Sequence, residues 1–219
     1  MFLTSRGASF FNTTINGASS HSALPHLSNN ALACGIKIAE LIEEIPSRYF
    51  SFTDGITLSL VSFNSGNVPN AVPGVAKIQG ALRAFDQTAI NTAFDKIHSV
   101  IDNVSKLYGC SADIKITAQC PSLINNKVMI YGAHDLICLM FGRKKVFRIE
   151  HRGDGGSENF ANFSRCVPSL IASVSAGSKR DGYIYTLHNP RVRFDERALS
   201  YGAALFASVG IYYAGKTKK

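Results

Sequence analysis

Apolar positions recur along this chain with two periods, every second residue in some stretches and once per helical turn in others. Residues 9–16 alternate and are rich in Phe, Thr and Ile, which predicts a strand. Residues 17–30 hold Ser, Asn, His and Pro and read as a loop, with Asn29 or Asn30 able to cap the next helix. Between Ala31 and Ile45, Leu32, Ile36, Ile38, Ala39, Leu41 and Ile42 fall at helical spacing, and Pro46 is expected to end that helix. Residues 55–64 (GITLSLVSFN) alternate strictly, with Ile56, Leu58, Leu60 and Ser62 on one face and Thr57, Ser59, Val61 and Phe63 on the other. A proline-containing loop, 65–73, leads to a second alternating strand, 74–85, with Val75, Lys77, Gln79, Ala81 and Arg83 on one face. Residues 88–108 put Ile90, Phe94, Ile97, Val100, Ile101, Val104 and Leu107 on one stripe, which Gly109 stops. Residues 112–118 (ADIKITA) alternate again. The order β-α-β-β-α-β over residues 9–119 predicts a split βαβ, ferredoxin-like domain. Its helices would cover one sheet face and leave an edge open to assembly.

The second half has fewer periodic stretches. Residues 127–140 predict a helix, 145–149 a short strand, 152–157 (RGDGGS) a tight loop, 158–164 a helical turn and 168–176 a buried strand. A loop, 177–193, precedes Asp195, which can cap a last helix over 196–213, and 216–219 form a basic tail. So few strands cannot close a core alone. Residues 120–219 therefore read as the rear part of a larger α/β domain, and exposed apolar surface is expected there.

Composition narrows the function. No apolar run is long enough to cross a membrane, and the first nine residues do not form a secretory signal, so the expected location is cytoplasmic. The five cysteines are odd in number and show no CxxC spacing, which predicts reduced, mostly buried thiols. The net charge of +8 is spread over Arg143-Lys144-Lys145, Lys179-Arg180, Arg191, Arg193 and the tail, without aromatic interleaving. That is a solvated surface rather than a nucleic-acid footprint, and nucleic acid is not an expected partner.

Four segments concentrate chemistry-bearing residues. They are 17–26 (GASSHSALPH), 66–73 (GNVPNAVP) with the strand end 80–83 (GALR), 155–160 (GGSENF), and 187–190 (LHNP) followed by 194–205. In order and spacing they resemble the metallo-amidohydrolase and metallopeptidase family that includes aminoacylase, hippurate hydrolase, auxin-conjugate hydrolases and related carboxypeptidases. That family writes them G-x-x-x-H-A-A-x-P-H, N-V-I-P with G-T-x-R, G-S-E-D-F and L-H-x-P. Each motif alone is weak; four in register over nearly the whole chain carry the resemblance.

The resemblance implies a ferredoxin-like dimerisation domain (9–119) between a catalytic remnant (1–8) and the C-terminal part of a two-metal α/β hydrolase domain (120–219). It implies two divalent metals, zinc, manganese or cobalt, that activate water for attack on an N-acyl amino acid or peptide amide. His21 matches the histidine lent to a partner subunit's active site, where it stabilises the oxyanion, while His26 supports its loop. Asn70 and Arg83 match the pair that binds the substrate carboxylate, for which a planar guanidinium is suited. Glu158 matches a substrate-pocket residue, and His188 a late metal ligand. The chain would then act as a homodimer on a small substrate.

The match departs in places. Asn159 stands where the family has Asp, and Asn30-Ala31 replace Asp-Pro. The family's early metal ligands and Glu-Glu pair would precede the first strand, and Glu43-Glu44 reads as a solvated helix end. A single ligand cannot hold a catalytic metal. The resemblance therefore implies a truncated or split enzyme that is inactive alone. The alternative is a non-catalytic dimerisation module.

Overall fold

The computed structural model describes residues 4–147 and 156–216. The first half follows the hydrophobic periods closely. Strand β1 (Gly7–Asn16), helix α1 (Ala31–Tyr49), strands β2 (Thr57–Ser65) and β3 (Val75–Ala84), helix α2 (Gln87–Leu107) and strand β4 (Ser111–Cys120) occur in that order. The sheet runs β2-β3-β1-β4, with every neighbouring pair antiparallel. This is the expected ferredoxin-like arrangement.

Both helices lie on one sheet face because their apolar stripes match its inward positions. Ile38, Ile42 and Ile45 of α1, Ile90, Ile97 and Ile101 of α2, and Phe11, Ile78 and Leu82 of the sheet are almost wholly buried. Each such side chain contributes roughly 1.5–3 kcal/mol of burial. Phe11 and Phe94 meet edge to face, 6.0 Å apart. Gly80 lies under Phe11, whose ring would come within 2.3 Å of an added Cβ. The Asn30 side chain caps α1 by accepting from Ala33 N (3.0 Å), and Asp86 caps α2 by accepting from Thr88 N (3.0 Å).

Two local expectations are corrected. Helix α1 does not stop at Pro46 but runs to Tyr49. A proline loses the bond that its own N–H would make and crowds the carbonyl four residues back, yet the bonds that follow it can still form, and one further turn survives, with Phe50 N bonding Pro46 O at 3.3 Å. Strand β2 does not alternate strictly, because its register against β3 shifts between Leu60 and Ser62. The bulge turns Phe63, not Ser62, toward α1, where Gly35 meets its ring. Leu60 N beside the bulge donates to Glu43 Oε1 at 2.7 Å. Glu43 is therefore a tie between helix and strand, while Glu44 pairs with Arg48 at the surface.

Two compact units are present. One comprises residues 4–124 with 156–166, and the other residues 125–147 with 167–216. In the first, Thr4–Ser5 pairs with Leu123–Ile124, and the helical turn Ala161–Ser164 packs on that short pair. In the second, α3 (Lys127–Phe141) and α4 (Arg197–Lys216) pack together, with Tyr213 donating to Met129 O at 2.9 Å and Phe141 against Tyr201. Asn126 caps α3, and Asp195 Oδ1 accepts from Arg197 N at the start of α4.

The expected strand at 168–176 is not assigned to a strand and is unpaired in any sheet among the described residues. Its bonding comes instead from Asn125, whose side chain donates to Ile171 O (2.9 Å) and accepts from Ile171 N (2.8 Å). Of the expected strand at 145–149, Lys145 ends a 3-10 turn, Val146 and Phe147 are irregular, and the rest lies outside the described residues. Most of the 152–157 loop and the end of the basic tail also lie outside them. No helix among the described residues is long and apolar enough to cross a membrane. All five cysteines are free, but only Cys34 is fully buried and Cys166 is exposed, so the thiols are less buried than composition suggests.

Candidate functional site

The loop after β1 and the loop before β3 are tied together at one end of the sheet. Gly17 N bonds Gly74 O at 2.8 Å, and Ser20–His21 pairs with Ala71–Val72 as a two-residue ladder. Ser22 N donates to Asn70 O at 3.0 Å. His21 and Asn70, 49 positions apart in sequence, are thus neighbours on an exposed rim.

The His21 ring has a defined orientation. Its Nδ1 accepts from Ala23 N at 3.1 Å, while Leu24 N bonds the His21 carbonyl at 2.8 Å. A backbone N–H can only donate, so in the neutral ring the proton sits on Nε2. The imidazole therefore presents an N–H donor away from its own loop. His26 occupies the exposed 3-10 turn Pro25–Leu27 of the same loop.

Arg83 is elsewhere. It lies near the opposite end of β3, opposite Ala8 of β1 and Thr57 of β2, with its guanidinium 5.5 Å from the Phe10 ring. Val75 and Arg83 are eight residues apart on one strand, about 27 Å at the usual rise of a strand. The expected pairing of Asn70 with Arg83 is therefore not made within one chain. A spacing of thirteen residues carries no information about distance when a turn and a whole strand intervene.

Sequence reasoning missed Arg6. Its Nη1 donates to Thr57 Oγ1 at 2.8 Å, its guanidinium stacks 5.0 Å from Phe85, and its Nε is buried with no hydrogen-bond partner among the described residues. Thr57, to which Arg6 is bound, pairs with Arg83 in the sheet, so the two arginines lie at the same sheet end. Two guanidinium groups at one sheet end suit an anionic ligand. Only the register reveals this, because no motif surrounds Arg6.

Glu158 spends its groups locally. Its Oε1 accepts from Phe160 N at 3.3 Å, and its carbonyl accepts from Ala161 N at 3.0 Å and from the Cys120 thiol at 3.2 Å. Burial pushes that thiol above its ordinary pKa.

His188 lies in the second unit, in a turn closed by Asn189 N bonding Thr186 O at 3.2 Å. Its φ is +68°, and it is the one residue other than glycine with positive φ among the described residues. A turn with positive φ at its third position favours glycine, so a histidine there costs roughly 1 kcal/mol or more of backbone strain. His188 is exposed and does not line the apolar cavity of about 650 Å³ that Ile137, Phe141, Ile171 and Leu205 help to form in the same unit.

Among the described residues, no group of three or more His, Cys, Asp or Glu side chains could hold a metal ion. His188 alone does not make a metal centre, which needs at least three protein ligands.

Comparison with known proteins fits this architecture. Residues 3–108 match the M20 peptidase dimerisation domain. The chain is 26% identical over 211 residues to the IAA-amino acid hydrolase ILR1-like 2 of Arabidopsis thaliana, covering 94% of this chain and 47% of that protein. It is 23% identical over 207 residues to thermostable carboxypeptidase 2 of Saccharolobus solfataricus, covering 94% of this chain and 51% of that one. In fold it resembles YXEP of Bacillus subtilis, described as a dinuclear metal-binding peptidase of the M20 family, with a TM-score of 0.70, 18% identity and coverage of 97% and 51% of the two chains. The chain spans about half the length of the curated relatives it matches. Residues 3–108 are thus a dimerisation domain of the M20 peptidase kind, and the chain as a whole is similar to M20 amidohydrolases and peptidases.

Proposed function

We propose that this chain is part of a metal-dependent amidohydrolase that cleaves N-acyl amino acids or peptides, works as a homodimer, and is inactive alone. The observation that carries this reading is the ladder joining His21 to Ala71. It fixes a histidine with an outward Nε2–H beside Asn70, at the sheet end remote from Arg83. An outward donor in a water-excluding pocket suits a developing oxyanion, and losing one such donor costs about 3 kcal/mol, or roughly a hundredfold in kcat.

The separation of Asn70 from Arg83 gives the dimer a reason. A small substrate cannot span a strand's length. In this reading His21 and Asn70 of one copy face the substrate held by the other, whose Arg83, helped by Arg6, receives the carboxylate. Glu158 borders the substrate pocket. His188 contributes one ligand to a site for two divalent ions, zinc, manganese or cobalt, whose other ligands lie outside these residues. In the same reading 9–119 is the dimerisation domain between a catalytic remnant (1–8) and a catalytic portion (120–219).

The test is complementation. The chain is mixed with the catalytic N-terminal segment of an M20 relative and manganese or zinc, and hydrolysis of N-acetyl amino acids is followed. Activity should require both pieces. H21A and R83A chains should each lose it, and mixing them should restore about a quarter of it, because half of the random dimers are mixed and each has one intact site. No hydrolysis from any combination, or no rescue on mixing, would count against the reading.

The match of residues 3–108 to a dimerisation domain also suits a second reading, a non-catalytic module that dimerises with itself or an intact homologue. It predicts association without activity in every mixture.

A further inference from the structure

A thiol, an imidazole and a carboxylate meet on α3. The Cys138 Sγ lies 3.7 Å from His134 Nε2 and 4.0 Å from its Nδ1, and that Nδ1 lies 3.2 Å from Asp135 Oδ1. Positions 134 and 138 are one helical turn apart, so their side chains share a face of the helix. An ionised carboxylate can only accept a hydrogen bond. Asp135 therefore holds the proton of the neutral ring on Nδ1 and leaves Nε2 as the acceptor for the thiol. A nucleophile, a base and a group that orients the base thus stand in series, the arrangement that activates a thiol for attack.

Among the described residues the other four thiols have no such base beside them. Cys34 is fully buried, and Cys110, Cys120 and Cys166 lie against the backbone carbonyls of Asn29, Glu158 and Asn162. A carbonyl oxygen accepts a hydrogen bond but does not carry the proton away. Cys138 is half-buried, and His134 beside it also lines the apolar cavity of about 650 Å³ in this unit. Ile130, Ile137, Phe141, Ile171 and Leu205 contribute to the apolar wall. Two other polar groups of the lining are engaged, Asn125 with Ile171 and Lys145 over the Tyr201 ring at 5.6 Å. A cavity of this size, mostly apolar with few polar groups, has the form of a small-ligand site. With a nucleophile and its base at the wall, the fitting occupant is an apolar chain that ends in a reactive carbonyl.

We propose that Cys138 is a nucleophilic thiol that takes an acyl group from an apolar thioester, with His134 as its base and the neighbouring cavity as the seat of the acyl chain. The Cys138 proton passes to His134 Nε2, and the thiolate attacks the thioester carbonyl. A new carbon–sulfur bond forms to Cys138 and the donor's carbon–sulfur bond breaks. The departing thiolate takes the proton back from His134, so one thioester and one thiol are exchanged for another thioester and another thiol. The step needs no metal and no second copy of the chain, and it stands whether or not the proposed hydrolysis does.

The full chain is incubated with the octanoyl thioester of N-acetylcysteamine, and in parallel with its acetyl counterpart. Timed samples are quenched in acid, the remaining thiols are alkylated, and the adducts are mapped by mass spectrometry. Octanoyl should appear on Cys138 about a hundredfold faster than on any other cysteine, the contribution of a well-placed base. It should appear there at least about tenfold faster than acetyl, a fraction of what burying the longer chain can supply. An H134Q chain should lose the advantage of Cys138 over the other thiols. Octanoyl on the exposed Cys166 at a similar rate would overturn the proposal, as would equal rates for the two donors or an H134Q chain that keeps the advantage. The first two comparisons use the native chain, and so decide the matter even where H134Q does not fold.

Discussion

Helices α2 and α4 are nearly equal in length, at 21 and 20 residues, yet they end in different environments. Helix α2 carries one apolar stripe, and Ile90, Ala93 and Ile97 on it are wholly buried. Helix α4 is apolar around much of its circumference and leaves Phe206 85% and Ile211 74% exposed. Helix α3 does the same with Leu139, 86% exposed. Hydrophobic period predicts that a helix forms, whereas burial depends on a facing surface of matching period. The first unit supplies that surface as a four-stranded sheet; the second has no strand among its described residues. An apolar face of this extent marks a surface built to be covered.

The sharpest way to break this contrast is a pair of truncations. Ile97→Ala should cost about 2–5 kcal/mol of unfolding free energy, as a cavity in a closed core does. Phe206→Ala should change it by no more than about 0.5 kcal/mol, as an exposed position does. Chemical denaturation measures both, and equal losses would erase the distinction between the units. Gly80→Val should cost about 1–3 kcal/mol or more, because the new side chain drives into the Phe11 ring.

Within the second unit, Asn125→Ala should cost about 1–3 kcal/mol, since the Ile171 N–H and carbonyl both lose their partner. Hydrogen exchange at Ile171 would report it, and unchanged protection would mean that the segment is held by other contacts. The smallest effect has the opposite sign. His188→Gly should stabilise by about 1 kcal/mol by relieving a left-handed backbone. A loss of stability instead would show that the ring makes a structural contact.

The first unit is legible in the sequence because period two and the helical period each continue long enough to be unambiguous, and the β-α-β-β-α-β order then leaves few topologies. Features that depend on a partner are concealed there. The bulge at Val61 turns Phe63 inward only because β3 and Gly35 receive it. Pro46 reads as a stop, yet helical bonding outlasts it by one turn. Residues 168–176 have strand composition but no strand beside them among the described residues. For the site, the motifs flagged His21, Asn70 and Arg83, but only strand register separates Arg83 from the other two and brings Arg6 beside it.

If residues 4–124 pair with a second copy, one chain's His21 rim serves the other's site. Sedimentation velocity of the full chain over a concentration series tests this pairing most directly. The predicted result is a discrete species of twice the 23.7 kDa chain mass, and a monomer at every concentration would contradict it.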